Sequence, residues 1–289
     1  MEFPCRMVAE KIIQENKERV GNLIGIPKIE MIGKYVSGTK RASKDFNYFM
    51  LSMCDAANAS GIELCSSFDD TDDGVKYLIK RANDDTRTSG IIVENGLDYN
   101  IYDRIVFNKD IDCCNSINLG MFYGNRKNPY LYPTYIPATA EAVIELLEFR
   151  GFDLDNSKIA VIGRGTVGRS VATLCTQKNA MVTICHSKTS EDHIKEICRN
   201  SNIIVACTGH PLYHLDEWIG DRTIAIVNVG LTDVPKEVFE KYKDSSMLTI
   251  SPAKNGIGLI TSALLCKHAI DSYEFICLRS SLLQKMVSG

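Results

Sequence analysis

A glycine fingerprint, Gly163-Arg164-Gly165-Thr166-Val167-Gly168, lies between a short apolar run and a helical pattern. The run Ile159-Ala160-Val161-Ile162 reads as a buried strand, and Thr166 to Gln177 reads as a helix. Gly-x-Gly-x-x-Gly alone is a weak signal; between a strand and a helix it becomes specific for dinucleotide binding. The first glycine permits the tight turn, the second lets backbone approach a pyrophosphate, and the third allows close helix–strand packing. The phosphates are then expected at the helix N-terminus, where unpaired N–H groups and the helix dipole favour anions.

The surrounding pattern agrees. Strands are expected at Met181 to Cys185, Ile203 to Ala206 and Ile224 to Val229, with a helix at Asp192 to Asn200. This alternation predicts a parallel, doubly wound sheet. The first half also alternates. Helices are expected at Val8 to Val20, Asp45 to Ser60 (closed by Gly61) and Val75 to Asn83. Strands are expected at Ile29 to Ile32, Ile62 to Phe68 and Gly90 to Val93, with a basic loop at Lys34 to Lys44 and an acidic turn at Asp69 to Asp73. Prolines at 129, 133 and 137 among tyrosines mark a connection between lobes. Thr139 is the expected N-cap of a helix ended by Gly151. The fold class is therefore α/β in two lobes: an N-terminal α/β substrate lobe over 1–137, a Rossmann doubly wound domain over 138–266, and a C-terminal helix over 267–289.

Composition narrows the partners. The 289 residues carry a formal net charge of −3 with the charges dispersed, which argues against nucleic acid and leaves room for a local basic pocket. No apolar run approaches the ~18 residues that span a bilayer, and Met1-Glu2-Phe3-Pro4 does not open a signal peptide. The 11 cysteines form no Cys-x-x-Cys pair, and Cys175, Cys185, Cys207 and Cys266 lie in apolar runs. They read as buried free thiols in a reducing compartment, hence a cytoplasmic protein without a metal site.

The strand after the fingerprint bears on the choice of dinucleotide. An NAD site usually places a carboxylate ~20 residues on, to hold the ribose hydroxyls. Here the strand ends Cys185-His186-Ser187-Lys188-Thr189, and no carboxylate comes before Glu191. Ser187 and Thr189 can donate to a phosphate, and Arg164 and Lys188 supply positive charge. NADP is expected, with NAD as the alternative. His186 either stacks on the adenine or is an ordinary surface histidine.

Residues 180–189 resemble the cofactor domain of the methylenetetrahydrofolate dehydrogenase/cyclohydrolase family. Further matches follow in order: Gly90-Ile91-Ile92-Val93; Lys109-Asp110-Ile111-Asp112 for the family's Lys-Asp-Val-Asp; Asn118-Leu119-Gly120 for Asn-Val-Gly; Pro137-Ala138-Thr139 for Pro-Cys-Thr; Asn228-Val229-Gly230-Leu231 for Asp-Val-Gly-Ile; and Gly256-Ile257-Gly258 with Thr261 for the end of Pro-Gly-Gly-Val-Gly-Pro-Met-Thr. The resemblance implies two lobes, a last helix that packs on the first lobe, and a homodimer. It implies hydride transfer from the methylene bridge of methylenetetrahydrofolate to NADP; in bifunctional members, water then opens the methenyl product. The candidate cofactor residues are the fingerprint itself, Gly163 to Gly168, with His186, Ser187, Thr189, Gly209, Leu231, Gly256, Gly258 and Thr261. Asp112 matches the carboxylate that grips the pterin, and a carboxylate can accept two N–H donors from such an edge.

The departures fall on the substrate side. The family's Tyr-x-x-x-Lys, in which Tyr stacks on folate and Lys is the acid/base of the cyclohydrolase, becomes Phe49 and Met53 when counted without gaps from Gly61. Methionine has no proton to exchange. A local gap would instead place Tyr48, followed four residues on by Ser52; alternatively Phe49 and Met53 are core. The Gln that works beside that Lys becomes Glu94, either an acid/base in a closed site or a solvated loop acid. Lys254-Asn255 replaces a Pro-Gly rim, and the glycine loop is slightly shorter than the family's. Cys113-Cys114 follows Asp112; these read as packing residues, with a minor reactive role left open. The chain is thus expected to be an NADP-dependent dehydrogenase that has lost cyclohydrolase activity. An oxidoreductase of another amine or iminium substrate, or a non-catalytic dinucleotide-binding relative, are the alternatives. Tyr48, Glu94 and Asp112 are the candidate catalytic residues.

Overall fold

The computed structural model describes residues 2–126 and 133–288, with side chains up to Leu278. Part of the proline-rich connection, including Pro129, lies outside the described residues. The chain divides into two compact units: Glu10–Ala138 with the residues from Ser262 on, and the residues up to Ala9 with Thr139–Thr261.

In chain order the first half contains α1 (Cys5–Gly21), β1 (Lys28–Lys34), α2 (Lys44–Ser60), β2 (Glu63–Asp69), α3 (Asp72–Asp84), β3 (Thr88–Val93), α4 (Tyr99–Tyr102) and α5 (Ser116–Tyr123). Its three strands are parallel in the order β2-β1-β3. β3 is buried along its whole length, as expected of a parallel strand covered on both faces. Ile32, Val75, Ile79, Ile91 and Ile101 form the core beneath α3. Helix ends are fixed locally. Ser43 accepts a bond from Phe46 N, Thr71 from Gly74 N, and Gly61 ends α2 in the left-handed region at φ 77°. The expected acidic turn is shorter than the sequence suggested, because Asp72 and Asp73 already form the first turn of α3, where acids favour the dipole. The far end of α3 is closed from a distance: Lys109 Nζ donates to the carbonyls of Ala82, Asn83 and Asp85 at 3.2, 2.7 and 2.9 Å.

The second half contains α6 (Ala138–Phe149), β4 (Lys158–Ile162), α7 (Thr166–Gln177), β5 (Met181–Cys185), α8 (Glu191–Arg199), β6 (Ile203–Ala206), α9 (Leu215–Trp218), β7 (Ala225–Asn228), α10 (Lys236–Tyr242), β8 (Thr249–Ile250) and α11 (Ile257–Ser288). Five parallel strands run β5-β4-β6-β7-β8. The order reverses between β4 and β6, so the switch point lies at the ends of those two strands. Thr139 is not an N-cap: α6 starts one residue earlier, after Pro137, and Ala138 N donates to Asp112 Oδ1 at 3.4 Å. A carboxylate from elsewhere in the chain has taken the role expected of the local hydroxyl.

The residues of α11 beyond Thr261 are tied to the first half. Asn16 Nδ2 donates to Ala263 O at 2.9 Å, and Arg19 pairs with Asp271 at 2.6 Å and Glu274 at 2.8 Å. Among the described residues no helix is long and apolar enough to cross a membrane, and no cluster of His, Cys, Asp or Glu could hold a metal ion.

Candidate active site

The glycine loop sits at the switch point. Gly163 follows β4, adopts φ 121°, and would drive a Cβ far inside van der Waals contact with the Cys207 carbonyl. A Cβ at Gly168 would collide in the same way with the Gly163 carbonyl, so the helix and the strand ends close on each other at these two positions. Gly165 differs: it is the N-cap of α7, offers no side-chain cap, and has open space where a Cβ would point. Helix α7 therefore presents uncapped N–H groups to free space, as an anion site requires.

A cavity of about 610 Å³ opens there. Of the cofactor candidates, Gly163, Arg164, Gly165, His186, Ser187 and Thr189 line it. Thr166, Val167 and Gly168 form the first turn of α7. Gly209 stands at φ 69° in the loop after β6 and Leu231 is exposed after β7. Gly256 and Gly258 flank the start of α11, and Thr261 Oγ1 donates to Ile257 O at 3.1 Å within that helix. His186 Nδ1 accepts from Lys188 N at 3.1 Å and Thr189 Oγ1 from His186 N at 3.1 Å. These bonds shape a tight turn with the Ser187 and Lys188 side chains exposed. An amide can only donate, so Nδ1 is the unprotonated nitrogen. Glu191 also lines the cavity, which places one carboxylate within the same space as the cations. The donor set, the uncapped helix and the open space before Gly165 fit a dinucleotide.

Asp233 was missed by sequence reasoning. It is fully buried and its Oδ2 accepts from Thr208 N at 3.0 Å and Gly230 N at 3.2 Å, tying the loops after β6 and β7 together. Burial raises its carboxyl pKa, opposed by these N–H groups. Nothing in a lone Asp within Leu231-Thr232-Asp233-Val234 signals that role.

The substrate candidates lie in the other unit. Glu94 directly follows β3, is 7% exposed, and its Oε2 accepts from Lys34 N at 2.9 Å across the end of β1. It is not a solvated loop acid. Its own carbonyl accepts from Tyr102 Oη at 2.9 Å, so backbone and side chain are both fixed. Met53 is fully buried in the face of α2 that meets the core, whereas Tyr48 is 49% exposed. Among the described residues no hydrogen bond joins Tyr48, Glu94 and Asp112 to one another.

Asp112 stands on a loop launched from the sheet, since Asp110 forms an isolated parallel bridge with Ile91. Asp110 is fully buried and accepts from Cys114 N, Asn115 N and Asn118 Nδ2 at 2.9, 2.9 and 2.7 Å. It organises the loop; Asp112 beside it is partly buried, and its Oδ1 accepts from Ala138 N. Desolvation, then the Asp110 carboxylate, push the Asp112 carboxyl up to about 7. Cys113 is buried at φ 54°, and Cys114 Sγ lies 3.7 Å from Asp112 O. Burial and the two carboxylates raise both thiol pKa values, so neither is a thiolate at neutral pH.

Comparisons with known proteins accord with this geometry. Residues 137–276 match the family described as tetrahydrofolate dehydrogenase/cyclohydrolase, NAD(P)-binding domain. The bifunctional protein FolD of Clostridium botulinum (strain Eklund 17B / Type B) is 31% identical over 285 residues, covering 92% of this chain and 95% of that protein. The structure of Trypanosoma brucei N5,N10-methylenetetrahydrofolate dehydrogenase-cyclohydrolase, complexed with NADP cofactor and inhibitor, is similar at TM-score 0.81 and 27% identity, over 95% of this chain and 97% of that one. A 5,10-methylenetetrahydrofolate dehydrogenase from the silkworm, Bombyx mori, is similar at TM-score 0.81 and 26% identity, over 95% and 98%. The chain belongs to the tetrahydrofolate dehydrogenase/cyclohydrolase family.

Proposed function

We propose that this chain is an NADP-dependent methylenetetrahydrofolate dehydrogenase that no longer performs the hydrolytic second step. The observation that carries the reading is a contrast. The glycine loop keeps both of its close backbone approaches, at Gly163 and Gly168, while position 53 holds a methionine with no exposed surface.

The uncapped N–H groups of α7 would hold the pyrophosphate, and Arg164, Ser187, Lys188 and Thr189 would meet a ribose phosphate. Gly209, Leu231, Gly256, Gly258 and Thr261 would complete the cofactor's surroundings. The chemistry a bound nicotinamide supplies is hydride acceptance. The chain's own work is then orientation. Asp112, as a carboxylate, would accept two N–H donors from the pterin edge, Tyr48 would offer a ring to stack on, and Glu94 would stand at the carboxyl end of β3. Hydride transfer needs the donor carbon placed correctly more than it needs a proton relay. Attack by water and ring opening need an acid/base, and Met53 cannot be one. A second copy of the chain is the expected partner, and the free buried thiols suit a reducing cytoplasm.

A second reading, an amine or iminium substrate other than a folate, is favoured by Glu94, a buried carboxylate where the family carries a neutral amide. A spectrophotometric assay with methylenetetrahydrofolate and either NADP or NAD separates the readings. The expected result is methenyltetrahydrofolate accumulating, with NADP preferred about tenfold or more, the worth of one charge-assisted bond to the extra phosphate. Formyltetrahydrofolate formed faster than spontaneous hydrolysis would overturn the loss of the second step. Dinucleotide binding without turnover would favour another substrate or a non-catalytic role.

A further inference from the structure

Away from the glycine loop, one group of titratable side chains converges on the segment that carries Asp112. Helix α11 reaches this segment through His268 and Ser272, which are four residues apart and share a helix face. Ser272 Oγ donates to Asn108 O at 2.6 Å, and Tyr135 Oη donates to the same carbonyl at 2.7 Å. His268 Nδ1 lies 2.7 Å from Ile111 O. A carbonyl can only accept, so Nδ1 carries the proton and the tautomer is set. The histidine is 4% exposed, with its ring centroid 5.8 Å from that of Tyr135. The Ile111 carbonyl belongs to the peptide that joins Ile111 to Asp112. The imidazole therefore holds the plane from which the Asp112 side chain departs.

We infer that His268 is a positioning residue for Asp112: it fixes the peptide before that carboxylate and, when its ring carries a charge, favours the ionised form that meets substrate. The inference rests on the reading of Asp112 as the group that binds the pterin edge. Asp110, Cys113 and Cys114 face Asp112 from its own segment and His268 faces it from α11, with Tyr135 beside Asp110; Asp271 on α11 is paired with Arg19. Of the groups that face Asp112, His268 alone can be cationic; the Lys109 ammonium is turned to the end of α3. Burial and Asp110 favour the protonated acid at Asp112; the Ala138 N–H and, after it, His268 oppose them. Removing the imidazole therefore moves the Asp112 titration to higher pH.

The test is tetrahydrofolate affinity by calorimetry on the full chain saturated with NADP, from about pH 6 to about pH 9, where imidazole and a raised carboxyl both titrate. The ligand's own titration is common to all variants and cancels. In His268→Asn the amide nitrogen takes the place of Nδ1 and keeps the bond to Ile111, but the ring charge is gone. It should bind as wild type at the alkaline end, with its acid limb displaced upward by about half a unit or more. His268→Leu loses bond and charge, and should bind about tenfold more weakly throughout. The isosteric Asn variant decides the matter if the Leu variant does not fold. Superimposable limbs for wild type and His268→Asn would overturn the inference. Asp112→Asn separates this from the underlying reading. Weak binding by Asp112→Asn beside unaltered His268 variants refutes the histidine's role alone, whereas wild-type binding by Asp112→Asn removes the reading and the inference together.

Discussion

Gly163→Ala should reduce dinucleotide affinity about 100-fold or more and lower the melting temperature as well. Two costs add. At φ 121° an L-residue occupies backbone space that is essentially reserved for glycine, a strain of about 1–3 kcal/mol. The new methyl also enters the space of the Cys207 carbonyl, a backbone atom of the neighbouring strand end that cannot rotate away; such overpacking costs about 1–3 kcal/mol more. The loop must move, and with it the N–H groups meant for the phosphates; each 1.4 kcal/mol is about tenfold in affinity. Gly165→Ala is the informative companion. Its methyl meets nothing in the protein, so the fold should melt as wild type while NADPH binding, followed by nicotinamide fluorescence, weakens. Tight binding by Gly163→Ala would show that the cofactor sits elsewhere.

Asp112→Asn should lower kcat/KM for methylenetetrahydrofolate about 30-fold at alkaline pH, with NADP affinity unchanged. Losing a charged acceptor of two hydrogen bonds costs about 1.5–3 kcal/mol, which brackets that factor. The pH dependence makes the assignment specific. With its carboxyl pushed up to about 7, wild-type Asp112 is a carboxylate above that pH and a neutral acid below it. Activity should therefore rise with pH through neutrality. The asparagine variant, resembling the protonated acid, should show no such limb, so the two profiles converge toward acid. Parallel profiles at all pH would exclude Asp112 as the titrating group.

The parts of this fold that sequence could announce are those in which local pattern and tertiary burial agree. Helix 166–177 and the strands at 181–185 and 203–206 have the bounds their patterns predicted. The glycine loop was legible because two of its glycines are required by backbone atoms, not by side chains that could be exchanged. Short elements such as α9, α10 and β8 were not legible, since two to seven residues hold too little periodicity to be told from a turn. The substrate side was harder for another reason. Thr139 has the chemistry of a cap, yet the N–H of Ala138 meets Asp112, 26 residues away in sequence. Glu94 looks like a loop acid until the end of β1 is laid beside it. His268, within Leu264-Leu265-Cys266-Lys267-His268-Ala269-Ile270, reads as one polar interruption of an apolar helix face; its partner, Ile111 O, is a backbone atom and leaves no mark in sequence.

The ammonium of Lys109 lies against three carbonyls at the end of α3, and the residue is 5% exposed. A reagent that acylates amines finds it neither accessible nor able to offer a lone pair without first giving up those bonds. In the folded protein it is a silent lysine among many surface ones that react. Its acylation, read by mass spectrometry against time, would count the openings of that helix end, so the side chain that closes α3 also serves as a built-in clock for the local unfolding of its lobe.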